Sequence, residues 1–167
     1  VSLSDNNRIF NIHLVLLPDK KLFNKKFISN EINSGLCSYN STEANVFVYR
    51  KEECIKVLIH EIIHGLNLSN INDTSKIINH YNEKYKIESS KMTLNETYTE
   101  IWAKLINCYL IVKLTNETPT YKEYQKLVSL EKKFSLIQAT KIMNYLENLN
   151  KKIDLNHETN PLAYYLA

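Results

Sequence analysis

The run Lys56-Val57-Leu58-Ile59-His60-Glu61-Ile62-Ile63-His64-Gly65-Leu66 constrains this chain more than any other stretch. It has no helix breaker before Gly65, and Val57, Leu58, Ile59, Ile62 and Ile63 make it apolar enough to be buried. On an α-helix, residues four apart are turned by about 40° and separated by about 6 Å along the axis. His60 and His64 therefore project from one face, one above the other, and two neutral imidazoles so placed can hold one metal ion. Glu61 lies about 100° round from His60, too far to be a natural third ligand but placed to reach a water on the metal. These residue types at this spacing point to zinc-dependent hydrolysis, in which zinc acidifies a water and a carboxylate takes its proton. The plainer reading is a helix with two surface histidines and a solvated glutamate. It conflicts with the apolar run, because polar side chains buried there without partners would be costly.

Two histidines do not close a catalytic zinc site; a third protein ligand is needed, with water in the fourth position. One common solution is a histidine or aspartate six residues beyond the second histidine, following a glycine three beyond it. Asn70 and Asn67 stand at those positions, so that solution fails. The other is a glutamate from a later helix. Thr93–Ala103 opens a long helix to about Leu114, and Glu96 and Glu100 share one of its faces. One can bind the metal while the other accepts the second N–H of a ligating imidazole and fixes its tautomer. Glu96 is the preferred ligand, with Glu100, His80, Asp73 and Glu83 as alternatives on residue type. Against this, Thr93-x-x-Glu96 also reads as a capping box, in which Glu96 would serve only its own helix start, and Glu100 would be a surface residue.

His60-Glu61-x-x-His64 followed by Asn95-Glu96-x-x-x-Glu100 resembles the gluzincin clan of zinc metallopeptidases. Thermolysin-like members carry Asn-Glu at the third ligand and an acidic residue four further on. The resemblance implies one Zn2+ per chain held by His60, His64 and Glu96, with Glu61 as general base and Glu100 beside a ligating imidazole. It covers about residues 44–103. The spacing from His64 to Glu96 is longer than in the thermolysin branch, and Glu100 stands where that branch usually has aspartate. The run from Tyr49 to His64 is also similar to predicted HExxH peptidases of large DNA viruses. The implied activity is hydrolysis of a peptide or protein substrate. Gluzincins usually add a Tyr or His that stabilises the oxyanion; Tyr98, His157, Tyr164 and Tyr165 are candidates by residue type alone. The competing readings are a non-catalytic zincin-like binding or scaffold protein and a helical interaction protein with a chance motif. An intact Glu61 argues against the first.

The remaining sequence supplies an α+β frame. Ile9–Leu17, Leu36–Tyr39 and Ala44–Arg50 read as strands, and the segment 19–34 between the first two as a short helix or loop. The expectation is a zincin-like domain: a small, mainly antiparallel N-terminal sheet, an active-site helix, and a mainly helical C-terminal half. Ala44–Arg50 leads straight into the motif helix and could be an edge strand that pairs with a substrate backbone, or an ordinary sheet strand. His13, without a spaced partner, reads as a packing or surface histidine. The motif helix is expected from Lys51 to about Leu66, with Glu52 and Glu53 in its first turn and Gly65 and the Asn67–Asp73 stretch ending it. Helices are also expected over 75–87, 121–133 and 135–150, the last with Leu136, Ala139, Met143 and Leu146 as a core stripe.

The 167 residues suffice for one domain, 1–167, and no linker divides it. A net charge of +3 is too small for a nucleic-acid footprint or membrane adhesion. The apolar run Ile101–Leu114 is short for a bilayer and carries Lys104, Asn107 and Lys113. Cys37, Cys54 and Cys108 form no C-x-x-C pair, which favours a reducing compartment such as the cytoplasm, including that of a virus-infected host cell. The sequon at Asn95 agrees, since a sugar there would sit beside Glu96. Substrate side-chain preference and oligomeric state have no signature in the sequence.

Overall fold

A computed structural model describes residues 8–18, 33–69, 74–85 and 94–148, with the side chains of 81, 82, 85, 142, 143 and 145–148 left out. The segment 19–32, Thr93, Asp73 and the tail from Leu149 onward, with His157, Tyr164 and Tyr165, lie outside the described residues. The fold is α+β: a three-stranded sheet, then helices. The chain groups into two compact units, Val1–Asn70 and Ile71–Ala167.

In the first unit, β1 (Ile9–Leu17), β2 (Gly35–Tyr39) and β3 (Glu43–Arg50) form a sheet in the order β1-β3-β2. It is mixed, parallel between β1 and β3 and antiparallel between β2 and β3. β3 is therefore the central strand, with both edges occupied, and is not the edge for a substrate backbone. Its β-branched run explains the position: Ala44, Val46 and Val48 are fully buried on one face, while Asn45, Phe47 and Tyr49 are half-buried on the other. The β2–β3 turn is an Asx-turn. The Asn40 side-chain oxygen accepts from the Thr42 and Glu43 amides, each at 2.8 Å.

Helix α1 (Cys54–Gly65) packs on β3 and β2. Val57 joins Val46 and Val48 in a small core, flanked by Phe10, Cys37, Cys54 and Leu58. The helix starts later than expected. Glu53 is its N-cap in a left-handed conformation (φ 57°), so Glu52 and Glu53 precede the first turn rather than lying in it. β3 runs to Arg50, and residues 51–53 must reverse the chain within one tight turn, closed by the Cys54 amide on the Lys51 carbonyl. Gly65 is the last residue of α1, as expected. A Cβ there would stand 2.7 Å from the Phe10 ring and 3.2 Å from Ala44, so glycine allows helix and sheet to touch. The stop comes at Asn67 (φ 55°), with the Asn67 amide on His64 O and the Leu68 amide on Ile63 O, a Schellman motif.

In the second unit, α2 spans Ser75–Tyr85, α3 Asn95–Thr115 and α4 Tyr121–Asn148. α3 and α4 pack together, and Lys104 donates to Ser135 at 3.0 Å. Residues 121–148 form one helix, not the expected pair. No Gly or Pro interrupts them, and Ser135 is accommodated within the helix by its bond from Lys104. Leu136 is 67 % exposed and so is not a core residue; the side chains of Met143 and Leu146 lie outside the described residues. A capping box opens α4, with the Thr120 amide on Glu123 Oε2 at 2.9 Å and the Glu123 amide on Thr120 Oγ1 at 3.3 Å. The Thr120 amide and the Thr120 hydroxyl, at 2.8 Å, both donate to Glu123 Oε2 and hold that carboxyl below its ordinary range. No helix among the described residues is long and apolar enough to cross a membrane.

Candidate metal centre

The motif residues occupy α1 as the helical spacing demands. His60 is 4 % exposed and Glu61 7 %, on a helix whose Val57 and Ile63 anchor it to the sheet. The Nε2 atoms of His60 and His64 face each other at 3.1 Å, with the rings inclined by 64°. Two imidazoles on one tetrahedral zinc, with bonds of about 2.0–2.1 Å, would have these nitrogens about 3.3 Å apart. The histidine pair therefore fits a shared zinc ion. On the far side of the His64 ring, Nδ1 lies 3.2 Å from Oγ of Ser69, a buried residue at the end of the Schellman turn.

Glu61 is set by the start of β2. Gly35 and Cys37 pair with Val48 and Val46, so all four point to the face that α1 covers. A Cβ on Gly35 would stand 2.8 Å from Glu61 Oε1, 2.9 Å from its Cγ and 2.7 Å from Val57 Cγ1. The absent side chain is thus the space that Glu61 fills. Neighbouring groups register its charge. The Cys37 thiol is pushed up to about 11, first by burial and then by Glu61, against a smaller opposing effect of Arg8. The Tyr49 hydroxyl is also raised, by burial first, with Arg50 opposing and Glu61 adding.

Glu96 and Glu100 lie on α3. Glu96 is in the first turn, where the helix dipole favours a carboxylate. The N-cap is Leu94, which makes no side-chain cap bond; the capping box read at Thr93-x-x-Glu96 involves Thr93, outside the described residues. Glu100 is 3 % exposed, with Lys104 Nζ at 3.7 Å, and is not a surface residue. Among the other candidates, His80 and Glu83 are exposed on α2, and Tyr98 packs edge-on against Trp102. His13 stacks on Phe47 at 4.4 Å.

Sequence reasoning gives Gly35 and Ser69 no part in the site. Gly35 reads there as a chain breaker, and its contact with Glu61 depends on how β2 crosses α1. For Ser69 the available signal is an asparagine just beyond the motif helix, a common left-handed terminator, which turns the following residues back toward the last helical turn. No protein-family model, curated protein or solved structure matches the chain.

Proposed function

We propose that this protein is a zinc-dependent peptide hydrolase whose metal is held by His60, His64 and Glu96, one ion per chain. The observation that carries the reading is the pair of facing Nε2 atoms, 3.1 Å apart on one turn of a buried helix, with the buried Glu61 next to His60 in sequence. Two neutral nitrogens and one carboxylate are the donor set of a hydrolytic zinc site that keeps a position open. Bound there, zinc supplies Lewis acidity, lowering the pKa of a water and polarising a scissile carbonyl. Glu61 takes the water's proton and passes it to the leaving amine. Glu100, deeply buried one turn beyond Glu96, is assigned to hold a ligating imidazole in orientation. The cysteines are free thiols, which supports a reducing, cytoplasmic setting.

The first test is metal content by mass spectrometry on protein purified without added zinc. About one zinc per chain is expected, lost in Glu96→Ala and weakened in Glu100→Ala. Absence of zinc in the wild type, with none taken up on addition, ends the metal reading; loss with Glu100→Ala alone exchanges the two roles. The second test is digestion of a peptide library with a chelator control. Glu61→Gln should keep zinc and lose cleavage, and cleavage surviving in that variant removes Glu61 as the base. Stoichiometric zinc with no cleavage of any peptide points instead to a zincin-like scaffold.

A further inference from the structure

We infer that Ser69 is a positioning residue for the proposed metal centre, acting through His64. The inference rests on the zinc reading above. Ser69 Oγ lies 3.2 Å from Nδ1 of His64, while Nε2 of the same ring faces Nε2 of His60 at 3.1 Å. A neutral imidazole carries one ring proton, so its two nitrogens cannot both be donors or both be acceptors. When the Ser69 hydroxyl oxygen accepts from Nδ1–H, Nε2 is left with its lone pair directed at the position shared with His60. That is the tautomer a metal on Nε2 requires.

The chain after α1 is built to deliver this hydroxyl. The Asn67 and Leu68 amides close the helix through the Schellman bonds to His64 and Ile63, and the left-handed Asn67 turns the backbone under the last helical turn. The Tyr39 hydroxyl donates to Asn67 Oδ1 at 3.2 Å, tying that turn to β2. Ser69 ends the turn 6 % exposed, so water competes little for its hydroxyl. A hydroxyl is a weaker acceptor than the carboxylate more often found behind a metal-bound imidazole, so the effect of removing it belongs at the lower end of the usual range.

The test is zinc affinity of the full chain at one fixed pH, by competition with a chromophoric chelator, for wild type, Ser69→Ala and Ser69→Thr. Ser69→Ala is expected to bind about 10-fold more weakly, and Ser69→Thr, which keeps the hydroxyl, to stay within about 3-fold of wild type. The visible spectrum of the cobalt-substituted protein should change in Ser69→Ala and not in Ser69→Thr, a signature that altered packing alone does not produce. Melting of the metal-free forms checks folding. If Ser69→Ala melts early, Ser69→Cys, similar in volume but a poor acceptor, is compared with Ser69→Thr in the same way. Wild-type affinity and spectrum in a folded Ser69→Ala, or in Ser69→Cys where that comparison applies, overturn this inference and leave the zinc reading standing. A wild type that binds no zinc overturns both.

Discussion

Gly35→Ala is the substitution whose consequence follows most directly from the structure. The new methyl group would stand 2.7 Å from Val57 Cγ1, 2.8 Å from Glu61 Oε1 and 2.9 Å from Glu61 Cγ. Ordinary contact between such atoms begins near 3.5 Å, so the neighbours must withdraw by roughly 0.6–0.8 Å. Val57 is β-branched and packed in the core, and Glu61 is buried, so neither yields freely. Overpacking of this kind costs about 1–3 kcal/mol. Gly35 has no positive φ, so alanine also restricts the unfolded chain and returns about 0.4–1 kcal/mol. The net loss is therefore about 0–2.5 kcal/mol. Two of the three close contacts are with Glu61, so part of the loss should vanish in a Glu61→Ala background, while the contact with Val57 remains. Urea unfolding of wild type, both single variants and the double variant measures this as a coupling of about 0.5 kcal/mol or more at unchanged m-value. Single effects that add to within about 0.3 kcal/mol would show that β2 does not confine Glu61, and the account of Gly35 would be wrong. On the proposed hydrolytic reading, the same displacement should also lower turnover by up to about 10²-fold with zinc retained.

Three further outcomes are expected. Glu61→Gln removes a charge that opposes thiolate formation, so Cys37 should titrate below about 11 yet remain raised, since burial is the larger cause; ultraviolet thiolate absorbance reads it, and an unmoved titration refutes the proximity. The sign for stability follows: a thiol raised in the folded state favours folding below its ordinary value of 9.0, and that contribution fades as pH rises toward 11, so wild-type melting should drop across that window more than in Cys37→Ser. Asn67→Gly should be neutral or stabilising and Asn67→Ala should cost about 1 kcal/mol, because only the second places a Cβ without local hydrogen bonding in the left-handed region; equal melting temperatures would contradict the Schellman stop. Leu136→Gln should change stability by less than about 0.5 kcal/mol by urea unfolding, and a loss of about 2 kcal/mol or more would place that side chain in a core after all.

What could be read in advance and what could not divides by the range of the interaction. The three strands fall within a residue or so of their expected bounds because alternation and β-branching act over neighbouring residues, as in Ala44 to Arg50. His60 and His64 share a face for an equally local reason, the helical repeat. The errors are of two kinds. Some come from local signals that compete. Glu52 and Glu53 look like good first-turn residues, but β3 must reverse before α1 begins, and the left-handed Glu53 makes that reversal. The Thr120-x-x-Glu123 pattern forms the reciprocal bonds of a capping box where α4 opens, while Thr93, which begins the like pattern at Glu96, lies outside the described residues.

The second kind involves contacts that no local pattern encodes. Gly35 and Glu61 are 26 positions apart, and the need for a glycine appears only once β2 is laid antiparallel to β3 beneath α1. Gly65 shows the same thing from the other side. Sequence reasoning reads it, with the stretch from Asn67, as a terminator, and the helix does end there; what the sequence does not show is that Gly65 also brings α1 down onto Phe10 and Ala44. The stop at Asn67 is what returns Ser69 to His64. A left-handed residue at Gly65 instead of Asn67 would move the turn two residues earlier, away from the register that places Ser69 beside Nδ1. The termination of α1 and the support of its second histidine are thus one structural feature. On the proposed zinc reading, a change at Asn67 that shifts the turn should therefore weaken zinc binding through Ser69, even though the Asn67 side chain bonds to Tyr39 and not to an imidazole.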